Sequence, residues 1–277
     1  MTNRFSAPAK LNLFLHIVGR RADGYHLLQS VFRLIDFGDM LDFKVRKDGV
    51  IIRLSAIAGL PPEQDLCVRA ARLLQQHSGC TQGVEITLEK HLPQGGGLGG
   101  GSSDAATTLL ALNRLWEINL NRDELQRLAL QLGADVPVFI FGESAFAEGV
   151  GEKLQPISLP AAWYTVLVPP VQVLTQQVFA SAELTRDSIP IKIADFSVEQ
   201  GRNDLQAVVC RQYPIVAEYL SWLSAFGDAR MTGSGGCVFA AFSEEARARE
   251  VFAQLPATMQ GFVARGLDRH PLHDFAQ

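Results

Sequence analysis

Long hydrophobic runs are missing from this chain. Its most apolar window, residues 163–174, is broken by Pro169 and Pro170, and no window approaches the ~18 apolar residues of a membrane-spanning helix. Near the N-terminus, Leu11 to Val18 is interrupted by Asn12 and His16, too short and too polar for a secretory signal. The expectation is a cytoplasmic protein without a membrane partner. Cysteine is also scarce. The four residues, Cys67, Cys80, Cys210 and Cys237, form no C-x-x-C and no zinc spacing. A chain of 277 residues buries a full core without staples, so all four are expected to be reduced thiols in a reducing compartment. An excess of basic charge is absent too. Lysine plus arginine numbers 25 against 29 for aspartate plus glutamate, with no basic block, which argues against a dedicated nucleic-acid binder. With 47% hydrophobic and 19% charged residues, neither wholesale disorder nor a coiled coil fits.

What is present alternates between two periods. Ala9, Leu11, Leu13, Leu15 and Ile17 alternate with Lys10, Asn12, Phe14 and His16, which predicts a strand with one apolar and one mixed face. Further strands are expected at 31–35, 41–45, 50–54 and 84–88. Leu66, Ala70, Leu73, Leu74 and His77 follow helical spacing until Gly79. Asn121 with Glu124 three positions on predicts a capping box, and Gly133 ends that helix. The run Val136 to Phe141 is compatible with a buried strand or a short helical turn. Glycine and proline scattered through 149–160 place a domain boundary near residue 157, giving domains 1–157 and 158–277. In the second half a strand is expected at 163–168, helices at 176–183 and 214–226, a glycine turn at TGSGG, a strand at 237–242, a charged helix after it and a last strand at 262–264. Strands and helices alternate there, as in an α/β sandwich.

Glycine is the skewed count: 24 residues, six of them in the seven positions 95–101. Without side chains such a loop lets a ligand approach the backbone, and φ > 0 turns successive N–H groups into one concavity. It opens into a helix at Ser102, Ser103 and Asp104, whose N-terminus adds partial positive charge and free donors. Together these predict a phosphate cradle. A linker or packing turn is the plain alternative, and the lone Leu98 and the helix start argue against it. Walker A is excluded, because Gly101 or Ser102 stands where its lysine belongs. A dinucleotide fingerprint lacks its acidic strand-end residue, since Glu117 ends a helix. Asp36-Phe37-Gly38 spells a protein-kinase motif on the wrong side of the glycine loop, with no H-R-D, and is read as chance.

Three segments together carry a resemblance. PQGGGLGGGSSDAA resembles the second motif of the GHMP small-molecule kinases (galactokinase, homoserine kinase, mevalonate kinase and relatives). SAPAKLNLFLHI resembles their first motif, and MTGSGGCVFAAF their third, in the family's order. RADGYH and LGADVPVFIFGESAFAEGVGE match best the branch that phosphorylates the 2-hydroxyl of a cytidine-diphosphate-linked methylerythritol. The resemblance implies an α+β fold of two domains, the first like ribosomal protein S5 domain 2 and the second ferredoxin-like, with the site between them. It implies ATP as phosphoryl donor, Mg2+, a small-molecule cytidine-diphosphate substrate, and a monomer or weak homodimer.

The resemblance also implies roles for single residues. Lys10 becomes a catalytic cation, where composition alone makes it a solvated lysine. Asp135 becomes the general base, where its position after Gly133 alone makes it a turn aspartate. Pro93, Gln94, Gly95, Gly96, Gly97, Leu98, Gly99, Gly100, Gly101, Ser102 and Ser103 become the triphosphate site, with Asp65 and Leu66 bordering the adenine. Asp65 departs from the asparagine more common there. Asn12, Tyr25, His26, Thr175 and Phe179 become substrate contacts, with Tyr25 and Phe179 on the two faces of the cytosine. Ser102 or Ser103 offers a hydroxyl to a metal ion, whose carboxylate ligand the sequence does not identify. His270 and His273 are read as tail contacts, and His77 as a helix-face residue without a role. The rivals are another GHMP kinase, of the homoserine or mevalonate type, and a nucleotide-binding regulator without turnover. The DGYH segment argues against the first, Lys10 and Asp135 against the second.

Overall fold

The computed structural model describes residues 3–54, 61, 63–197 and 201–276. Two long strands, β1 (Asn3–Arg20) and β2 (His26–Arg46), form an antiparallel hairpin around a turn in which Gly24 takes a positive φ. Then follow β3 (Ile51–Arg53), α1 (Leu66–Ser78), β4 (Gly83–Glu89), α2 (Gly100–Leu115), α3 (Arg122–Leu132) and α4 (Val136–Phe141). After β5 (Ala145–Glu148) and β6 (Lys153–Pro156), the chain continues through β7 (Trp163–Leu167), α5 (Thr175–Ala180), α6 (Gln206–Gln212) and α7 (Pro214–Ser224). It ends with β8 (Ala229–Met231), β9 (Val238–Phe242), α8 (Glu245–Ala253) and β10 (Gly261–Leu267). Among the described residues no helix is long and apolar enough to cross a membrane.

The strands join in the order β3-β4-β2-β10-β7-β9-β8, with β1 and the β5–β6 pair also bonded through β2. β10 is the splice between the two halves. Its residues 261–265 pair with β7, and Gly266 and Leu267 pair with Ile35 and Leu34 of β2. A Cβ on Gly266 would strike the buried Arg33 side chain, so the splice needs glycine there. One apolar cluster lies between α1–α4 and β2, around Phe43, Leu109, Leu110 and Phe139. A second packs α6 and α7 on β8 and β9. A third, around Leu11, Leu13, Leu98, Phe146 and Phe239, lies between them. Each fully buried Leu or Phe contributes roughly 1.5–3 kcal/mol, so the site hangs on a scaffold packed on both sides.

Several expectations change. The segments 31–35 and 41–45 are one strand. A register shift between Pro8 and Ala9 absorbs the extra residues, so β2 stays paired straight through. Val136–Phe141 is a helix, with proline in its first turn and Gly142 (φ 74) closing it. β5, β6, β8 and α6 were not anticipated, because so few residues give no usable period. The four cysteines are free thiols. Cys67 and Cys237 are buried, and Cys80 and Cys210 are partly exposed.

A second register shift matters to the site. Between Asn12 and Phe14 the pairing slips by one residue, so Leu13 is a bulge. A one-residue slip turns every later side chain to the other face. Lys10, Asn12 and Leu15 therefore share the cleft side, while His16 turns away and packs edge-on against Phe14, ring centroids 4.9 Å apart. The polar face expected to run from Lys10 to His16 stops at Asn12.

Candidate active site

One cleft of about 1190 Å³ runs between the glycine loop, the start of β1, the 21–26 turn and α5. Its floor is the glycine loop. Gly95, Gly97 and Gly99 have φ of 70°, 81° and 73°, a conformation close to free only for glycine. Leu98 is buried among the central cluster and anchors the loop, and its carbonyl accepts from the Lys10 N–H at 3.0 Å. The TGSGG turn grips the other side. Cys237 N donates to Gly96 O at 3.1 Å, and a Cβ on Gly97 would strike the Thr232 carbonyl. The two glycine segments, far apart in sequence, are interlocked backbone to backbone.

The loop leads into α2, whose N-cap, Gly99, supplies no side-chain bond. The first amides of this 16-residue helix thus face the cleft with the positive end of its dipole. Pro93, Gln94, the seven residues Gly95 to Gly101, and Ser102 all line the cleft. Ser103 departs from the expectation. It is fully buried, its amide donates to Gly99 O at 2.8 Å, and its hydroxyl donates to Pro8 O at 2.6 Å. Helix geometry assigns it to the core, leaving Ser102 as the hydroxyl at the loop's end.

Lys10 and Asn12 reach the cleft from β1, and Asp135 from the turn before α4. Lys10 Nζ lies 2.5 Å from Asn12 Oδ1, 3.4 Å from Asp135 Oδ2, and 5.3 Å from the centroid of the Phe32 ring. The Asn12 amide is oriented by a relay. Asn12 Nδ2 donates to Ser30 Oγ at 2.8 Å, and that hydroxyl donates to Phe14 O at 2.6 Å. With its amide nitrogen so committed, Asn12 can offer Lys10 only an oxygen. Asp135 precedes α4 and makes no cap bond with its side chain, so its carboxylate is free for the cleft.

Asp65 and Leu66 also line the cleft, but the Asp65 carboxylate is occupied. It caps α1, accepting from Cys67 N at 2.8 Å and Val68 N at 3.1 Å, and it pairs with the buried guanidinium of Arg53. Arg53 is the physical reason a charge is tolerated here.

Sequence reasoning missed a charged group beneath the loop. Lys90, one residue past β4, bonds Asp104 Oδ2 at 2.9 Å and also pairs with Asp39. Asp39 is fully buried, and its other oxygen accepts from His91 N at 2.6 Å and Leu92 N at 2.8 Å. Among the described residues Asp104 Oδ1 has no hydrogen-bond partner. Burial pushes the Asp104 carboxyl up to about 7, Lys90 opposing and Asp39 adding to the shift. For Lys90 burial works against the charge, but Asp104 and Asp39 outweigh it and hold its pKa above the ordinary value. The only hint in the sequence was Lys90's position at the mouth of the glycine run.

At the far end of the cleft, Tyr25 is 64% exposed, which no core aromatic is, and it sits with His26, Thr175 and Phe179. The His26 and Phe179 rings lie 5.0 Å apart at 33°. Thr175 Oγ1 shares a hydrogen bond of 2.7 Å with Ser234 Oγ, tying α5 to the TGSGG turn. Elsewhere, His270 donates its backbone N–H to Gly142 O at 2.7 Å, and His273 lies 3.2 Å from Glu143. Among the described residues no group of three His, Cys, Asp or Glu could hold a metal ion. The residues at the loop's end still suit Mg2+, which takes oxygen ligands and usually binds through one or two carboxylates plus substrate phosphates and water. Ser102 supplies a hydroxyl oxygen there, and bound phosphates and water would complete the set.

Residues 65–143 match the family of GHMP kinases N terminal domain, and residues 191–261 the family of GHMP kinases C terminal. The chain is 65% identical over 274 residues to 4-diphosphocytidyl-2-C-methyl-D-erythritol kinase of Nitrosospira multiformis, covering 98% of this chain and 93% of that one. It is 64% identical over 275 residues to the protein of the same name from Thiobacillus denitrificans, covering 99% of both. A crystal structure of 4-(cytidine 5'-diphospho)-2C-methyl-D-erythritol kinase superposes with a TM-score of 0.83 at 34% identity, over 96% of this chain and 99% of that one.

Proposed function

The chain belongs to the GHMP kinase family, with that family's two-domain α+β fold, and we propose that it transfers the γ-phosphoryl group of ATP to the 2-hydroxyl of 4-diphosphocytidyl-2-C-methyl-D-erythritol. The products are the 2-phosphate and ADP, and the step belongs to non-mevalonate isoprenoid precursor synthesis. The observation that carries this is the placement of the Lys10–Asp135 pair in one cleft with both the uncapped α2 N-terminus and an exposed aromatic lobe. A domain division near residue 157 puts the glycine loop and Asp135 on one side, and α5 and the TGSGG turn on the other.

Phosphoryl transfer asks a protein mainly for positioning and charge stabilisation. The amides from Gly95 to Ser102 hold the triphosphate. Asp135, half-exposed beside Lys10, accepts the proton of the attacking hydroxyl. Lys10, 3.4 Å from Asp135, helps to place the hydroxyl, and the Asn12–Ser30 relay keeps Lys10 from swinging away. Mg2+, when bound, would neutralise charge on the phosphate oxygens, with the Ser102 hydroxyl at the end of the loop as the side-chain oxygen able to hold it. Tyr25, His26 and Phe179 bind the cytosine, and Thr175 contacts the substrate beside the turn.

A coupled ADP-release assay against the diphosphocytidyl substrate, homoserine and mevalonate tests this. Turnover confined to the first acceptor is the expected result. Turnover with either of the others points to another branch of the family, and no ADP release with any of them makes the chain a non-catalytic nucleotide binder.

A further inference from the structure

His26 opens β2 immediately after the 21–25 turn, and Phe179 lies near the end of α5. One side chain from outside the cleft wall joins them. Arg186 Nε donates to His26 Nε2 at 3.1 Å. Its Nη2 donates to Phe179 O at 3.0 Å and Ser181 O at 2.7 Å, and its Nη1 to Leu184 O at 3.0 Å. We propose that Arg186 is the positioning residue of the base-binding end of the cleft, fixing the tautomer of His26 and the seat of Phe179 with a single guanidinium. This deepens the cytidine reading of the site and rests on it.

The chemistry is restrictive. A guanidinium has five donors, no acceptor, and does not deprotonate in proteins. A nitrogen that faces Arg186 Nε must therefore carry a lone pair. His26 is thereby held neutral, with its proton on Nδ1, and that N–H is the one donor the ring can present. The two cations that face the ring act in the same direction: burial first, then Arg186 and Arg20, lower the His26 pKa. On the other arm, α5 has only six residues, too few to be stable by itself. Its last carbonyls lack partners within the helix. Arg186 supplies donors to Phe179 O and to Ser181 O just beyond, so the aromatic ring is carried on a turn that the guanidinium closes. The glycine loop and the Lys10–Asp135 pair touch none of these bonds, so the effect is confined to one substrate.

Long-range 15N–1H NMR of the wild-type protein should find His26 protonated at Nδ1 and bare at Nε2, a result that needs no ligand and no variant. In Arg186→Met the Nε2–H form should appear and the ring should titrate at higher pH. KM for the diphosphocytidyl substrate should rise roughly tenfold or more, with kcat and KM for ATP within about twofold of wild type. Arg186→Lys keeps the charge but not the fork, so its KM for the diphosphocytidyl substrate should rise as in the methionine variant. Wild-type His26 protonated at Nε2, a folded methionine variant with unchanged KM for the cytidine substrate, or full rescue by lysine each overturns the proposal. Cytidine monophosphate, titrated into the wild-type protein, separates the two levels. If the His26 signals do not move, the cytidine assignment of this pocket falls and takes the proposal with it; if they move and Arg186→Met leaves KM unaltered, only the role of Arg186 falls.

Discussion

The Lys10 ammonium and the Asp135 carboxylate stand 3.4 Å apart on opposite sides of a solvent boundary: the lysine side chain is 3% exposed, the aspartate 43%. The buried member is held by Asn12 Oδ1, so it can act as fixed positive charge, while the exposed member is free to meet a hydroxyl. Asp135→Asn keeps the shape and removes the proton acceptor. Its kcat should fall by roughly 10²–10⁴, with ATP binding largely kept. Lys10→Met should lower kcat by roughly 10²–10³, and the double variant by less than the product of the two. Steady-state kinetics with both substrates checks all three; near-normal kcat in Asp135→Asn removes it as the base.

The Asp104 carboxyl gives stability a pH dependence whose sign can be worked out. Its folded value, about 7, lies above the unfolded 3.8, so between these limits the native state holds a proton that the unfolded chain has lost. Where the native state binds more protons, stability falls as pH rises, here by up to roughly 1.4 kcal/mol per pH unit. Denaturant melts from pH 4 to 8 should show the decline, and Asp104→Asn should flatten it. An unchanged slope in that variant would assign the decline to other groups.

The interlocked glycines make a sharp contrast within one loop. At Gly97 a Cβ meets the Thr232 carbonyl at a positive φ of 81°, whereas at Gly101 it meets, among the described residues, Leu66 Cδ1 at an ordinary 3.5 Å. Gly97→Ala should destabilise the protein by roughly 1–3 kcal/mol and raise KM for ATP. Gly101→Ala should fold normally. Gly99, at φ 73° and with Phe139 Cζ at 2.9 Å from its Cβ position, should likewise lose stability on substitution by valine, so it reports on packing as well as on phosphate. Melting temperatures beside ATP KM values decide each case.

Asp65 joins a helix cap to a buried ion pair. Asp65→Ala removes the cap, worth about 1 kcal/mol. It also strands the Arg53 guanidinium, for which breaking a buried pair costs roughly 3–5 kcal/mol. Asp65→Asn keeps the cap acceptor and should lose less. Arg53→Met combined with Asp65→Asn should recover much of the loss, because no charge is then left unpaired. Denaturant midpoints of Asp65→Asn, Arg53→Met and the double variant measure the coupling, and additive losses would mean that Asp65 and Arg53 are not energetically paired.

Local chemistry was enough to determine much of this protein. The glycine run, the Asn121–Glu124 capping box, the Gly79 stop and the alternation in β1 act over a few residues, so their period and turn residues are legible in the chain. The three motifs named the family and drew attention to Lys10, and the LGADVP segment drew attention to Asp135. What only the tertiary structure decided depends on partners distant in sequence. A bulge at Leu13, set by pairing with β2, turned His16 out of the site. A carbonyl of Pro8 withdrew Ser103 from the phosphate loop. Lys90 met Asp39 and Asp104, Arg53 met Asp65, and Arg186 met His26, across 51, 14, 12 and 160 positions. No period or motif encodes such meetings, because a charge is paired by whatever the fold brings within hydrogen-bond reach; the chain supplies the groups, and the register of β1 on β2 and the β10 splice determine which of them touch.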